Sequence, residues 1–198
     1  MRLYHVPNSS SQRVLWLLEE TGAPYELTIL GDRASRVADA EHMARHPMGR
    51  VPVLEDEGEY IFESVAICLH VADRHPEANL IPPLGTIERA KVYQWSVFAL
   101  TELQASLARA RLLQDVDGER HEAAKANLAD ALAALEKSLD GLEYLVGDSV
   151  TVADVLVASV LAAVRRLGLA ELPPRVSAYL EAMEARPAKA RADARNPN

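Results

Sequence analysis

The sequence contains a single cysteine, Cys68, among its 198 residues. An intramolecular disulfide is therefore excluded, and a CxxC redox or metal motif is excluded with it. We interpret Cys68 as a small buried hydrophobic residue. This cysteine usage fits a reducing compartment.

Long apolar runs are also missing. No stretch of about 18 apolar residues occurs, so no membrane-spanning helix is predicted. The N-terminus, Met-Arg-Leu-Tyr-His-Val-Pro, lacks the apolar region of a secretory signal peptide. We therefore expect a cytoplasmic protein that does not bind a membrane.

Positive charge is in deficit. The chain has 21 Lys and Arg residues against 29 Asp and Glu residues, which gives a formal net charge of −8. This charge argues against binding to nucleic acid or to an anionic membrane. The one basic stretch, from Arg186 to Arg195, is rich in alanine, and we interpret it as a frayed end. His42 and His46 are four residues apart but lack further ligand motifs, so no metal site is predicted.

The residues that are present favour an ordinary globular protein, at 49% hydrophobic and 25% charged. Short apolar runs and helical stretches alternate in the first 75 residues and predict the order β-α-β-(α)-β-β-α. Strands are expected at residues 3–6, 25–30, 51–54 and 60–62. Helices are expected before Thr21-Gly22 and over residues 64–74, and a short one within the loop 31–47.

The remainder of the chain predicts helices almost throughout. Residues 76–85 contain three prolines and form the predicted linker. Helical patterns follow at residues 86–113, 119–144, 152–167 and 175–185, with short connections that favour an antiparallel bundle. The predicted domains are therefore residues 1–75 and 86–198.

Four motifs occur in order along the chain: Pro7-Asn8-Ser9-Ser10-Ser11-Gln12-Arg13-Val14-Leu15-Trp16-Leu17-Leu18-Glu19-Glu20, Gly49-Arg50-Val51-Pro52-Val53-Leu54, Glu63-Ser64 and Thr151-Val152-Ala153-Asp154. With them the chain resembles the cytosolic glutathione S-transferase family, of the bacterial type with a serine-type active site. The resemblance implies a thioredoxin-like α/β domain followed by an all-helical domain. It also implies a homodimer in detoxification, with glutathione as co-substrate, no metal and a small hydrophobic electrophile as the second substrate.

The resemblance assigns the glutathione-binding residues. A cis bond at Val51-Pro52 would let the Val51 backbone pair with glutathione by strand-type hydrogen bonds. Arg50 would face the glycyl carboxylate, with a plain surface arginine as the alternative. Ser64 would hold the γ-glutamyl carboxylate at a helix N-terminus, and Glu63 would hold the ammonium group. Ser64 is also explained as a simple N-cap, and both interpretations can hold together.

The same resemblance places a hydroxyl beside the glutathione thiol, whose pKa of about 8.5 must be lowered at neutral pH. Counting back four residues from Arg13 selects Ser9, and counting from the N-terminus selects Ser10. Ser11 is a third candidate, and all three serines could instead cap the helix. Tyr4 offers another hydroxyl, although core packing is favoured for it.

The acceptor pocket is expected between the domains. Its candidate residues are Tyr4 together with Trp95, Phe98 and Glu102 of the first long C-terminal helix, which could equally form core or a dimer surface. Thr151 to Asp154 predicts a structural capping box. The predicted function is conjugation of glutathione to small apolar electrophiles. Another glutathione-dependent enzyme (a peroxidase, isomerase or dehalogenase) and a non-catalytic binding module are the alternatives.

Overall fold

The computed structural model describes residues 1–115 and 118–196. The chain divides into two compact units. The first contains Met1–Ile81 together with the segment that begins at Arg186, and the second contains Pro82–Ala185. The last segment therefore belongs with the first unit, whereas the sequence placed it in the helical domain.

A four-stranded mixed sheet forms the centre of the first unit. Its strands are β1 Arg2–His5, β2 Glu26–Ile29, β3 Val53–Asp56 and β4 Glu59–Phe62, in the order β2-β1-β3-β4. β1 pairs in parallel with β2, and β3 runs antiparallel to both of its neighbours. Leu3 lies opposite Leu54 in the register, and both side chains are fully buried because the two inner strands carry the core.

The helices of the first unit are α1 Ser11–Thr21, α2 Arg33–Ala38, α3 Ala40–Arg45 and α4 Ser64–Arg74, followed by a 3₁₀ turn at Pro76–Ala78. The bounds of α4 agree with the prediction. The loop predicted at 31–47 contains two short helices rather than one. Each has its own cap: Asp32 accepts from the Ser35 N–H, and Asp39 accepts from the Glu41 N–H.

A tenth helix, α10, closes the first unit at Pro187–Ala194, after the helices of the second unit. It packs against α1 through Ala188 and Ala192, which are 3% and 4% exposed. Arg186 donates to both oxygens of Glu20 at 2.7 and 2.9 Å, and Arg191 donates to Glu19 at 2.9 Å. The prediction of a frayed basic end was wrong, because acidic residues at the end of α1 bind its charges.

The second unit is helical, as predicted. Its helices are α5 Ile87–Phe98, a π-helical segment Ala99–Gln104, α6 Ala105–Leu113, α7 Gly118–Ser138, α8 Val152–Leu167 and α9 Pro174–Glu184. The predicted helix 119–144 is shorter, and the chain turns at Gly141, whose φ of 72° suits glycine. Among the described residues, no helix is long and apolar enough to span a membrane.

The capping box at the start of α8 is confirmed. The Thr151 side chain and the Asp154 side chain each bond the other's backbone, as the sequence pattern predicted. α8 is buried along most of its length, and Asp154 is fully buried within it. The Thr151–Asp154 motif is therefore a structural element of the helical unit.

Candidate functional site

The serine run lies where β1 leads into α1. Ser11 is the first residue of α1 and is fully buried, whereas Ser9 and Ser10 are partly exposed. Ser10 occupies the N-cap position, but its side chain makes no capping hydrogen bond. The capping alternative applies only to Ser9, whose Oγ accepts from the Ser11 N–H at 3.2 Å. Ser9 and Ser10 are thus the two hydroxyls of the run that reach the surface.

Ser10 connects this turn to the loop that precedes β3. Its hydroxyl donates to the Val51 carbonyl at 3.2 Å. The peptide bond between Val51 and Pro52 is cis, as predicted. The structure therefore brings together the serine run and the Val51-Pro52 motif, which are about 40 residues apart in the chain.

Two helices hold the loop that carries Arg50 and Val51. The ring of His42, on α3, donates through Nε2 to the Arg50 carbonyl at 3.0 Å. Arg36, on α2, donates to the Gly49 carbonyl at 3.2 Å. The Arg50 side chain itself is exposed. The sequence analysis assigned no role to His42, and its observed contact positions the loop.

The Glu63-Ser64 motif lies at the N-terminus of α4. Glu63, rather than Ser64, is the N-cap residue, so the interpretation of Ser64 as N-cap was wrong. Glu63 has a φ of 70°, a left-handed conformation that costs energy in a residue with a side chain and that clusters at functional sites. Ser64 is the first helical residue and is 5% exposed. Its hydroxyl makes no hydrogen bond to the part of the chain that the structure describes.

His46 is a neighbour of this motif that the sequence did not assign. Its ring packs against Phe62 with 4.9 Å between the centroids, and its Nδ1 accepts from the Met48 N–H. Burial lowers the pKa of His46, and the carboxylate of Glu63 opposes that shift. The ring is therefore neutral at neutral pH and packs against Phe62, next to Glu63.

Tyr4 lies in a different environment from the serines. Its hydroxyl donates to Glu55 at 2.8 Å, and the guanidinium of Arg45 lies 4.4 Å from the centre of its ring. The side chain is 3% exposed, and burial raises its pKa. Tyr4 is thus packed between β3 and α3, in agreement with the favoured core interpretation.

The other acceptor candidates belong to the helical unit. Trp95 and Phe98 pack edge to face with 5.1 Å between their centroids. Phe98 and Glu102 also line a cavity of about 540 Å³. Arg109 and Asp130 contribute charge to the same cavity, so its lining contains charged as well as apolar side chains.

Together these features define the class of the protein. A mixed four-stranded sheet with a cis-proline before its third strand, followed by a helical unit, is a thioredoxin-like domain joined to an all-helical domain. Residues 1–73 match the family model of the glutathione S-transferase N-terminal domain, and residues 98–187 match that of the C-terminal domain. The chain belongs to the glutathione S-transferase family.

Curated relatives agree along most of the chain. Glutathione S-transferase GstA of Escherichia coli O157:H7 is 28% identical over 94% of each protein. Glutathione S-transferase 4 of Zea mays is 32% identical, over 89% of this chain and 83% of the maize protein. Elongation factor 1-gamma 2 of Oryza sativa subsp. japonica is 33% identical over 75% of this chain, which corresponds to 36% of that factor.

Solved structures show the same fold. A sphingomonad glutathione S-transferase complexed with glutathione aligns with a TM-score of 0.86 and 28% identity, over 99% of this chain and 98% of that one. BphK, a bacterial glutathione S-transferase in a ternary complex, aligns with a TM-score of 0.89 and 29% identity, over 99% of each chain.

Proposed function

We propose that this chain is a glutathione transferase with a serine-type active site of the bacterial kind. It conjugates the thiolate of glutathione to a small electrophile. The observation that carries this proposal is the hydrogen bond from Ser10 to the Val51 carbonyl, because it joins the candidate thiol-binding turn to the candidate backbone-binding loop. The alignment with a glutathione-bound family member supports it.

Glutathione is held in this proposal mainly by backbone and helix-terminal groups. The Val51 backbone pairs with the cysteinyl residue as an added strand would. The hydroxyl and N–H of Ser64, at the N-terminus of an 11-residue helix, bind the γ-glutamyl carboxylate. The exposed carboxylate of Glu63 binds the ammonium group, and the exposed Arg50 faces the glycyl carboxylate.

The thiolate is stabilised by the Ser9 hydroxyl. Lowering a thiol pKa by two units requires about 2.7 kcal/mol of preferential binding of the thiolate. One hydroxyl donor at a helix N-terminus supplies an energy of that order. Ser9 is preferred to Ser11 because Ser9 is partly exposed and Ser11 is buried, and to Ser10 because Ser9 lies four residues before Arg13. The hydroxyls of Ser9 and Ser10 each donate to a backbone carbonyl, of Val6 at 2.7 Å and of Val51 at 3.2 Å. Ser10 is the second candidate.

The second substrate and the assembly belong to the same proposal. Trp95, Phe98 and Glu102 contact the electrophile, and the charged lining near Glu102 favours an acceptor with a polar group as well as an apolar body. The protein acts in the cytoplasm as a homodimer in detoxification, as the family resemblance implies.

Calorimetric titration with glutathione tests the site. Wild type is expected to bind saturably, and Ser64→Ala to bind at least about tenfold more weakly, since a hydrogen bond to a charged group contributes about 1.5–3 kcal/mol. Ser138→Ala is the matched control, because Ser138 lies on α7 and its hydroxyl donates to the Ala134 carbonyl within the same helix. Absence of binding to wild type at millimolar glutathione would refute the proposal.

The role of Ser9 is tested by rates. Ser9→Ala is expected to lower kcat about 10–100-fold with glutathione affinity nearly unchanged, because a charge-assisted hydrogen bond to the thiolate is lost. Ser10→Ala is the comparison variant. A larger loss in Ser10→Ala than in Ser9→Ala would assign the thiolate contact to Ser10.

A binding module is the second candidate, and one observation favours it. A segment of an elongation factor is 33% identical to three quarters of this chain, so a sequence of this kind also occurs within a protein that is not named as a transferase. Glutathione binding without turnover of any electrophile would favour this alternative. Turnover with a different product would favour another glutathione-dependent reaction.

A further inference from the structure

The hydroxyls of Ser9 and Ser11 form a chain of hydrogen bonds with the ring of His5. The Ser9 hydroxyl donates to the Val6 carbonyl at 2.7 Å, and a carbonyl oxygen can only accept. Ser9 Oγ lies 2.6 Å from Ser11 Oγ, which lies 2.7 Å from His5 Nδ1. Because the Ser9 proton is directed at Val6, Ser11 donates to Ser9, and His5 Nδ1–H donates to Ser11. These hydrogen bonds therefore all point from the buried ring towards the partly exposed Ser9.

This direction uses both accepting positions of the Ser9 hydroxyl. Ser9 Oγ accepts from the Ser11 hydroxyl and also from the Ser11 backbone N–H at 3.2 Å. A hydroxyl has two accepting lone pairs and one proton, so Ser9 can only donate a further hydrogen bond. Its acceptor is the Val6 carbonyl as observed, or a stronger acceptor placed beside the turn. A thiolate is such an acceptor because it is charged, whereas a neutral thiol accepts only weakly.

His5 fixes the direction at the inner end of the chain. The Val6 N–H donates to Ser11 Oγ at 3.2 Å, and His5 Nδ1–H fills the other accepting position at 2.7 Å. The Ser11 proton then has two acceptors within reach, Ser9 Oγ at 2.6 Å and the Val6 carbonyl at 3.2 Å, and Ser9 is the nearer. Without the N–H of His5, Ser11 would be free to accept from Ser9. Ser9 would then be free to accept from a thiol, which favours the unreactive form of the substrate.

The segment after α10 holds the ring in this orientation. His5 Nε2 lies 2.9 Å from Asn196 Oδ1. A side-chain amide has an accepting oxygen and a donating NH₂ group on one carbon, so Asn196 can bind Nε2 in either protonation state of the ring. Burial lowers the pKa of His5, and the hydrogen bond with Asn196 opposes that shift, so the ring is neutral at neutral pH. Its single proton is then on Nδ1, as the serine hydroxyls require.

Ion pairs with α1 fix the position of Asn196. Arg195, the preceding residue, pairs with Glu19 at 3.3 Å, and Arg191 donates to the same carboxylate at 2.9 Å. Glu19 lies on α1, the helix that begins with Ser11. The tail and the serine run are therefore attached to the same helix, and the ring of His5 bonds to both.

We propose that His5 and Asn196 are positioning residues of the thiol site, which keep the Ser9 hydroxyl as a donor to the glutathione thiolate. This inference rests on the proposed function, in which Ser9 contacts the sulfur. The ring contacts Ser11 rather than the substrate, and it exchanges no proton in this role. Hydrogen bonds that run in one direction strengthen each other by about 10–30% per bond, so the two inner bonds also make Ser9 a stronger donor.

The pKa of the bound glutathione thiol tests this role, read from the ultraviolet absorbance of the thiolate over a range of pH. His5→Leu removes the Nδ1–H donor, so the pKa of the bound thiol is expected to rise by about 0.5–1. Below that pKa, the thiolate fraction and kcat should both fall about three- to tenfold. Glutathione affinity at the same pH should be nearly unchanged, because the proposed contacts of Val51 and Ser64 remain. His75→Leu is the matched control, since His75 lies in the same unit and contacts Glu77.

Two more variants separate the donor role of the ring from its packing. His5→Asn keeps an N–H donor near the position of Nδ1, so it is expected to restore most of the thiol pKa that His5→Leu loses. Ser11→Ala interrupts the same chain between His5 and Ser9. Adding His5→Leu to Ser11→Ala should therefore raise the thiol pKa no further, and additive rises would overturn the inference.

Asn196→Leu tests the inference at a partly exposed position. The ring loses its partner at Nε2, so the thiol pKa is expected to rise by less than in His5→Leu but above the His75→Leu control. A thiol pKa in Asn196→Leu equal to that of the control would overturn the inference, even if His5→Leu failed to fold. An unchanged thiol pKa in Ser9→Ala would overturn it as well. Failure of wild type to bind glutathione would instead refute the proposed function.

Discussion

Replacing Asp154 by alanine should destabilise the helical unit more than a typical substitution does. Its carboxylate is fully buried and accepts four hydrogen bonds. The donors are the N–H groups of Leu145 and Thr151, and the hydroxyls of Thr151 and Tyr179, at 2.8–2.9 Å. Burial raises the pKa of Asp154, while these hydrogen bonds oppose that shift. The carboxylate thus joins α8, α9 and the loop before α8.

The expected loss of stability follows from the hydrogen-bond acceptor that the four buried donors lose. A buried donor left without a partner costs about 1–3 kcal/mol, and removal of the carboxylate also removes its own desolvation cost. We therefore expect Asp154→Ala to lower the free energy of unfolding by about 3–5 kcal/mol. For a chain of this size, this corresponds to a fall in Tm of about 10 °C or more.

Thermal and urea unfolding followed by circular dichroism measure this change. Asp148→Ala is the matched control, because Asp148 is exposed in the same loop. Asp154→Asn should be intermediate, since the amide keeps one accepting oxygen but sets an N–H against donors. If Asp154→Ala kept the wild-type stability and lost only activity, the structural assignment of the motif would be refuted.

Two further predictions concern α1 and α4. Glu20→Gln should lower the free energy of unfolding by about 1–3 kcal/mol, because the 6%-exposed carboxylate of Glu20 binds the guanidinium of Arg186. The control is Glu26→Gln, which removes an ion pair with Arg2 at the surface and should lower the free energy of unfolding by less than about 1 kcal/mol. If urea unfolding showed the same loss of stability in both variants, the docking of α10 on α1 would be contradicted. Cys68 should resist thiol reagents in the native protein, since burial raises its pKa to about 12, and fast labelling at neutral pH without denaturant would contradict this.

The local sequence pattern was sufficient to predict the bounds of those helices whose own residues mark both ends. α4 and α8 have the predicted bounds because each has a clear apolar face and clear end signals. The division of residues 31–47 into two helices was not predicted. Asp39 ends α2 and caps α3 at the same time, and such a shared residue leaves too few positions on either side for a helical period to be recognised.

The tail shows a different limit. The segment that contains α10 has little apolar periodicity, so its sequence alone favours a frayed end. Its partners, Glu19 and Glu20, lie more than 160 residues earlier in the chain. Complementary charge between Arg186 and Glu20 is visible only once the chain has folded, because a pair at that separation leaves no local pattern. The tail was therefore placed in the wrong unit.

The candidate site contains both local motifs that could be predicted and long-range contacts that could not. The serine run and the Val51-Pro52 motif could be identified as short motifs, and the fold then joins them through Ser10. The hydrogen bond between His5 and the serine run was not predicted although a signal existed, since a histidine within an apolar strand must find a hydrogen-bond partner when the strand is buried. Ser11, six residues later, is one such partner, but Asn196 is 191 residues away and lies beyond any motif. A polar residue buried in the strand just before a candidate catalytic turn is thus a sequence feature to test alongside the turn itself, because the turn is where its hydrogen bonds can reach.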